Sequence, residues 1–428
     1  MARKIGFYAM LAYVVYGFLV YGYLFYFADT SLPFEYQGSR ADPATFMNAR
    51  ELMLSEEYSK IRNLMFFLSA PLEWLIYLLI LLLGLSRAFK KWGQESTKNK
   101  FGQAAIYVIW LSFFTFLLTF PLSYLSYNLS RTYNISTQSF PSWMKDELID
   151  FWVSYGMMLV IVFVLYWLIN KSRKFWWLFA WLLSIPFTLF IMFFQPVVID
   201  PLYNDFYPLK NKELEAKILD LASRADIPAE HVFEVNMAEK TNALNAYVTG
   251  IGTNSRIVLW DTTLNRLNDD QILFIMAHEM AHYVEKHLYI GIAGYLLLSL
   301  AGLYLTARVM NWAIEGYGKD LKVGDIGDIR SLPLFLMIIS MLAFAASPLS
   351  NFVSRYQETR ADRYAIEMTD HPEAAITSFQ ELSQAGLSQV NPPLLVKIFR
   401  YGHPTMLERI SRLEEYEIQK RNREAESP

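Results

Sequence analysis

Cysteine is absent from the 428 residues. That excludes disulfides, a thiolate nucleophile and any Cys-ligated metal site. Charge is scarce: only 18% of residues are Asp, Glu, Lys or Arg, against about 25% in an ordinary soluble domain. The net charge of −3 argues against nucleic acid as the main partner. No internal repeat or low-complexity tract is evident, so fibrous and disordered classes drop out. Apolar matter is what the chain has in quantity. Hydrophobic residues reach 54% and aromatics 16%, and the mean hydropathy is +0.20. A soluble fold of this length could not hide so much apolar surface. A mainly α, polytopic membrane protein is expected.

Seven apolar stretches are long enough to span a hydrocarbon core, near 5–27, 64–85, 103–127, 149–169, 175–199, 288–310 and 331–353. Each approaches the roughly 20 residues a helix needs for about 30 Å. The first follows Arg3 and Lys4 and is too long for a signal-peptide core, so it reads as a retained helix. Trp92 and the Trp176-Trp177 pair sit near span ends, as interfacial belts do. These runs divide the chain into helices 1–5 (1–199, with a polar loop near 28–62), an inserted α+β domain with a small sheet (200–287), helices 6–7 (288–353) and a helical C-terminal segment (354–428). Segment 311–330 reads as a short Gly/Asp-rich loop. Clusters at Arg87–Lys100 and Lys171–Lys174, with Arg3 and Lys4, put the N-terminus inside and 200–287 outside by the positive-inside rule. Arg40, Arg50, Lys60 and Arg62 in the first loop weaken that bias.

Residues 278–282 read His-Glu-Met-Ala-His. Histidines at i and i+4 share a helix face, and that spacing suits one Zn²⁺. Glu279 can act as general base, taking a proton from the attacking water. With 6 His in 428 residues, the pattern arises by chance about 0.005 times. Asn268, Asp269 and Asp270 supply an N-cap and favourable charge at the helix start. Such a site needs a third ligand, here His, Asp or Glu. Glu358 and Asp362, at i and i+4 after the last span, are candidates for ligand and for the acceptor of a ligating histidine's other N–H. A solvated Glu/Arg face explains that spacing equally well.

The chain resembles the type I CAAX prenyl endopeptidases, integral-membrane zinc peptidases of the gluzincin kind. The likeness is carried by Gln195-Pro196 to Ile199, Pro201-Leu202-Tyr203-Asn204, Pro208-Leu209, Asn245-Ala246-Tyr247-Val248-Thr249-Gly250, Arg256-Ile257-Val258-Leu259 with Asp261-Thr262, His278-Glu279-x-x-His282, Glu358-x-x-Ala361-Asp362, and Gly402-His403-Pro404 with Glu408-Arg409-Ile410. It covers nearly the whole chain. The resemblance implies seven helices around a water-filled chamber, one zinc per chain held by His278, His282 and Glu358, Glu279 as base and acid, and His403 at the oxyanion. It also implies a cytosolic catalytic domain, against the loop charges. The membrane side therefore stays open, and the short cysteine-free chain suggests a bacterial cell membrane.

Other residues divide between roles. Asn245, Ala246, Tyr247 and Val248 form a strand leading to a hairpin through Gly250, Gly252 and Asn254, suited to holding an extended substrate. Arg409 is a candidate partner for Asp362. His287, at i+5 from His282, points about 140° round a continuous helix and is rejected as a ligand. His231 and His371 read as surface residues. Glu73, inside a span, is placed against a chamber wall or a neighbouring helix. The expected activity is zinc metalloendopeptidase action on peptides or membrane-tethered protein C-termini, prenylated or not. The alternatives are a general membrane quality-control protease, a non-catalytic scaffold or receptor, and a transporter. A scaffold would have lost Glu279 or a ligand, and a transporter would show repeats.

Overall fold

The computed structural model describes residues 1–229, 231–249 and 256–426. Among them, six helices are long and apolar enough to cross a membrane. They are α1 (Ala2–Gly22, continued by a π turn to Phe27), α2 (Ala49–Leu83), α4 (Lys100–Thr132), α5 (Phe140–Lys171), α10 (His287–Leu321) and α11 (Leu332–Thr369). A seventh span is bent: Trp176–Met192 and Gln195–Leu202 meet at 41°. Pro196 opens the π turn Gln195–Ile199 that follows α6 (Trp176–Phe194), so a backbone donor is missing at the bend. The seven apolar stretches all fall on these elements. Their outward faces carry Phe18, Leu19, Trp167, Phe190 and Leu297 in the open, as lipid-facing surfaces do.

Local sequence sets the helix ends. Asn48 and Glu51 form a capping box that starts α2, and Gly84 in the left-handed region (φ 82°) ends it. The amphipathic helix α3 (Leu85–Ser96) then turns back against α4. The expected loop at 311–330 is shorter than its composition suggests. α10 continues to Leu321, because polar residues such as Glu315 and Lys319 sustain a helix beyond the bilayer. The short connection after it is anchored by Asp328, which takes Lys90 at 2.8 Å and Arg330 at 2.6 Å. Ser86 and Tyr107 (2.6 Å), with Tyr166 and Ser331 (2.8 Å), satisfy the buried hydroxyls beside it.

The inserted domain holds helix α7 (Lys212–Arg224) and a four-stranded sheet. Its strands are β1 (Phe206–Pro208), β2 (Val232–Val235), β3 (Ala246–Thr249) and β4 (Arg256–Trp260), in the order β1-β2-β4-β3. β2 and β4 run parallel, and the outer strands pair antiparallel. β3 is therefore an edge strand, with Ala246 opposite Leu259 and Thr249 opposite Arg256. The expected turn residues Gly250, Gly252 and Asn254 lie outside the described residues. Short helix α8 (Asp261–Arg266) leads to α9 (Asp269–Val284). After α11, helices α12 (Pro372–Ala385), α13 (Leu394–Arg400) and α14 (Met406–Glu426) close the domain. One core unites them: Ile218, Ile257, Leu259, Phe274, Met280, Ile376 and Ile410 are all buried together. A separate core fills the bundle around Ile80, Tyr107, Ile169 and Met310.

Gly93 on α3 marks a close approach to α4. A Cβ there would stand 2.8 Å from the Gln103 carbonyl oxygen, a backbone atom that cannot swing aside. Gly93→Ala is expected to destabilise the detergent-solubilised protein by about 1–3 kcal/mol. Gly156→Ala, where a Cβ meets nothing within 4 Å, is the control. Equal thermal midpoints for the two variants would contradict this packing.

Candidate metal and peptidase site

Helix α9 carries the centre of the site. Asn268 caps it in a reciprocal box with Gln271, and Ile272, Phe274, Met276, Ala277 and Met280 bury its apolar face. With that face committed to the core, His278, Glu279 and His282 turn toward α11 and a cavity. The core-packed part of α11 brings up Glu358 and Asp362, both buried. α14 supplies Arg409, and the turn before it supplies His403.

Two imidazole nitrogens and the two oxygens of one carboxylate converge. His278 Nε2 lies 3.3 Å from His282 Nε2 and 3.1 Å from Glu358 Oε2, and His282 Nε2 lies 3.4 Å from Glu358 Oε1. A tetrahedral ion with bonds of about 2.0–2.1 Å sets its ligand atoms roughly 3.3–3.4 Å apart. The separations thus fit the face such an ion needs. Glu358 Oε2 is buried and accepts no hydrogen bond, an orphaned acceptor aimed at the same point. The donor set fits a borderline divalent metal.

The other ring nitrogens are tied down. His278 Nδ1 lies 2.9 Å from Asp362 Oδ1, which fixes the proton there and leaves Nε2 as a lone pair. Arg409 holds Asp362 through two bonds, Nε to Oδ2 at 2.9 Å and Nη2 to Oδ1 at 2.5 Å, and stacks over the Phe379 ring at 4.0 Å. Burial alone would lower the His278 pKa, but the carboxylates of Asp362 and Glu358 beside it raise it to about 9. The pocket thus favours positive charge at its centre. Burial and the neighbouring His278 push His282 down to about 4. Burial pushes Glu279 up to about 7, close to the range a general base needs.

His287 stays off the converging donors, as expected, but it does not point away from His282. Its 140° offset assumes an unbroken helix. The helix breaks instead at Lys286, in the left-handed region (φ 57°), and His287 starts α10 folded back on His282. His287 Nδ1 lies 2.9 Å from His282 Nδ1, not at the converging Nε2 face. Its Nε2 donates to Glu285 at 3.0 Å, and Glu285 pairs with Arg360 at 2.6 Å. The carboxylate leaves His287 Nδ1 as an acceptor, so His282 donates through Nδ1–H and keeps Nε2 free. No glycine or proline marks this break in the sequence.

The remaining candidates separate. Asn245, Ala246, Glu279, His403 and Arg409 line one cavity of about 350 Å³ with His278. His403 Nε2 stands 3.4 Å from Glu358 Oε2. Tyr247 faces away, toward a small cavity that it shares with Asp200, Tyr203 and Trp260. Val248 packs on the domain core. Alternation along β3 accounts for Tyr247, which points to the face opposite Ala246 and Val248. Glu73 accepts from Tyr77 at 3.1 Å, one turn along its own helix.

The profile of peptidase family M48 matches residues 208–417, and the CAAX prenyl protease N-terminal profile, described as five membrane helices, matches residues 37–205. A Bacillus subtilis protein named as an uncharacterized metalloprotease, YhfN, is 53% identical over 96% of both chains. CAAX prenyl protease 1 of Saccharomyces cerevisiae is 26% identical over 73% of this chain and 72% of its own. The crystal structure of S. mikatae Ste24p superposes with a TM-score of 0.78 at 22% identity, covering 96% of this chain and 98% of that one.

His287→Leu is expected to weaken metal binding about 10–100-fold in chelator competition. His287→Asn, whose Oδ1 can replace the Nδ1 acceptor, is expected to recover most of the loss. Unchanged affinity in the leucine variant would contradict the orienting role.

Proposed function

Since the chain belongs to peptidase family M48, as a multi-pass membrane metalloprotease of the CAAX prenyl protease type, we propose that its metal is one Zn²⁺ held by His278, His282 and Glu358. The carrying observation is that these three donor sets lie within 4.8 Å of one another, with Asp362 and His287 on the outer nitrogens. When bound there, zinc supplies Lewis acidity toward water and a peptide carbonyl.

The chain's own residues do the rest. Glu279 takes the proton of the attacking water and returns it to the leaving amine. His403 donates to the oxygen that gains charge. Its place on the cavity wall and its approach to Glu358 support that role. A peptide adds to the free edge of β3, with Asn245 and Ala246 at the cavity. Asp362 and Arg409 keep His278 in its binding tautomer.

The substrates are peptides or membrane-tethered protein C-termini, with or without a prenyl group. A second cavity of about 560 Å³ supports this reading. It lies among the membrane helices, between α2, α4 and α5, and offers Ser69, Thr119, Ser126 and Glu147 beside Phe66 and Trp143. A polar space inside an apolar bundle suits a chain entering from the membrane. The homologous yeast protein is named a CAAX prenyl protease.

The test uses detergent-purified protein and a quenched CAAX-type peptide, with and without a farnesyl group. Glu279→Gln is expected to retain zinc and lose about 100-fold to 10,000-fold in rate. Full activity in that variant, or after exhaustive chelation, would overturn the mechanism. A farnesyl requirement identifies lipidated substrates, and indifference points to broader protein turnover.

A further inference from the structure

α10 leaves the site at His287 and ends at Leu321, so a 35-residue helix of roughly 50 Å separates the two ends of the bundle. The connections at the far end are bonded to one another. α1 starts there, with Met1 N 3.7 Å from Asp320. Ser86 on α3 donates to the Arg330 carbonyl at 2.9 Å, and Lys90 pairs with Asp328 at 2.8 Å. Asn170, near the end of α5, donates to the Gly327 carbonyl at 3.1 Å, and Arg173 pairs with Asp325 at 2.6 Å. The start of α1, helix α3, the α5–α6 turn and the α10–α11 connection therefore form one surface.

That surface is cationic. Arg87, Lys91, Lys98 and Lys100 stand exposed on and just after α3. Lys171, Arg173 and Lys174 stand exposed after α5, with Lys171 4.9 Å over the Trp167 ring and Lys174 5.2 Å over the Phe175 ring. α3 buries Phe89 and Gly93 and turns Arg87 and Lys91 outward, as a helix lying in a headgroup layer does. The site end differs. Its two short connections, 28–48 and 133–139, contain a single basic residue, Arg40. Arg40 is taken up by Glu373 and Glu417 of the domain. Lys60 pairs with Glu56, and Arg131 donates to the Thr137 and Gln138 carbonyls. Arg50 opens α2, roughly 20 Å along the helix from its apolar stretch at 64–85. Lys145 remains exposed at that border, beside Asp146 and Glu147. The first-loop cations that blurred the charge bias in the sequence thus belong mainly to the folded domain.

Lys and Arg in short connections stay on the cytoplasmic side, where the membrane potential and the anionic headgroups of the inner leaflet hold them. Long polar segments cross largely regardless of charge, so 200–287 and 354–428 do not set the orientation. Likeness of fold does not set it either, because one fold can stand either way up in a bilayer. We infer that the cationic end faces the cytoplasm and that the metal and peptidase site opens on the outer side of the membrane. Resting on the metallopeptidase reading, its substrates are then peptide segments exposed at the outer face.

The absence of cysteine makes the test direct, because each introduced thiol is the single one in the chain. Gln94→Cys and Gly324→Cys place it at the cationic end, and Gln37→Cys and Ser223→Cys place it at the site end. All four positions are exposed and uncharged. Protoplasts of a bacterial host that makes each full-length variant are treated with a membrane-impermeant biotin maleimide, before or after lysis. Gln37→Cys and Ser223→Cys are expected to label fully before lysis, and Gln94→Cys and Gly324→Cys only after it. A site-end cysteine that labels only after lysis, or a far-end cysteine that labels before it, overturns the inference. Labelling does not depend on cleavage. If it puts the site inside while Glu279→Gln still abolishes hydrolysis, the orientation falls and the metallopeptidase reading stands. If it puts the site outside and no peptide is cleaved, the orientation stands and the choice of substrate falls.

Discussion

The interaction on which the site depends is the buried contact of α9 with α11, where His278 meets Glu358 and Asp362. Two carboxylates in a low-dielectric interior need positive charge. Arg409 answers Asp362 through two bonds, while its nearest approach to Glu358 is 4.0 Å. Glu358 is left with an orphaned Oε2 that faces His278 Nε2, while its Oε1 faces His282 Nε2. A divalent cation resolves that imbalance. The fold around it keeps the donors fixed: α9 is locked by its apolar face, and α14 is locked by Arg409 stacked on Phe379.

The same arrangement explains why membrane and domain are one machine. α11 begins among the membrane helices, packed in the bundle core at Leu334 and Ile338, and ends in the domain core at Ala365 and Ile366. α10 leaves the site directly at His287. Helices α10 and α11 therefore tie the bundle to His282, Glu358 and Asp362.

Much of this was legible in the chain. The seven spans follow from apolar length alone, because lipid demands a continuous run. The His278–His282 pair follows from helical spacing. Glu358 and Asp362 were ambiguous by spacing and were singled out by family resemblance, since i, i+4 acids also make ordinary solvated faces. The role of His287 was hidden, because it depends on a left-handed Lys286 that no residue type announces. Tyr247 was grouped with Ala246 and Val248 because a contiguous motif ignores the alternation of a strand.

We propose that two imidazoles and one carboxylate hold a single zinc. X-ray absorption at the zinc edge of the purified protein tests it most directly. The account predicts about one zinc per chain, with two imidazole nitrogens and further oxygen donors at about 2.0–2.2 Å. One imidazole, three imidazoles, or a protein that is active with no zinc at all would contradict it.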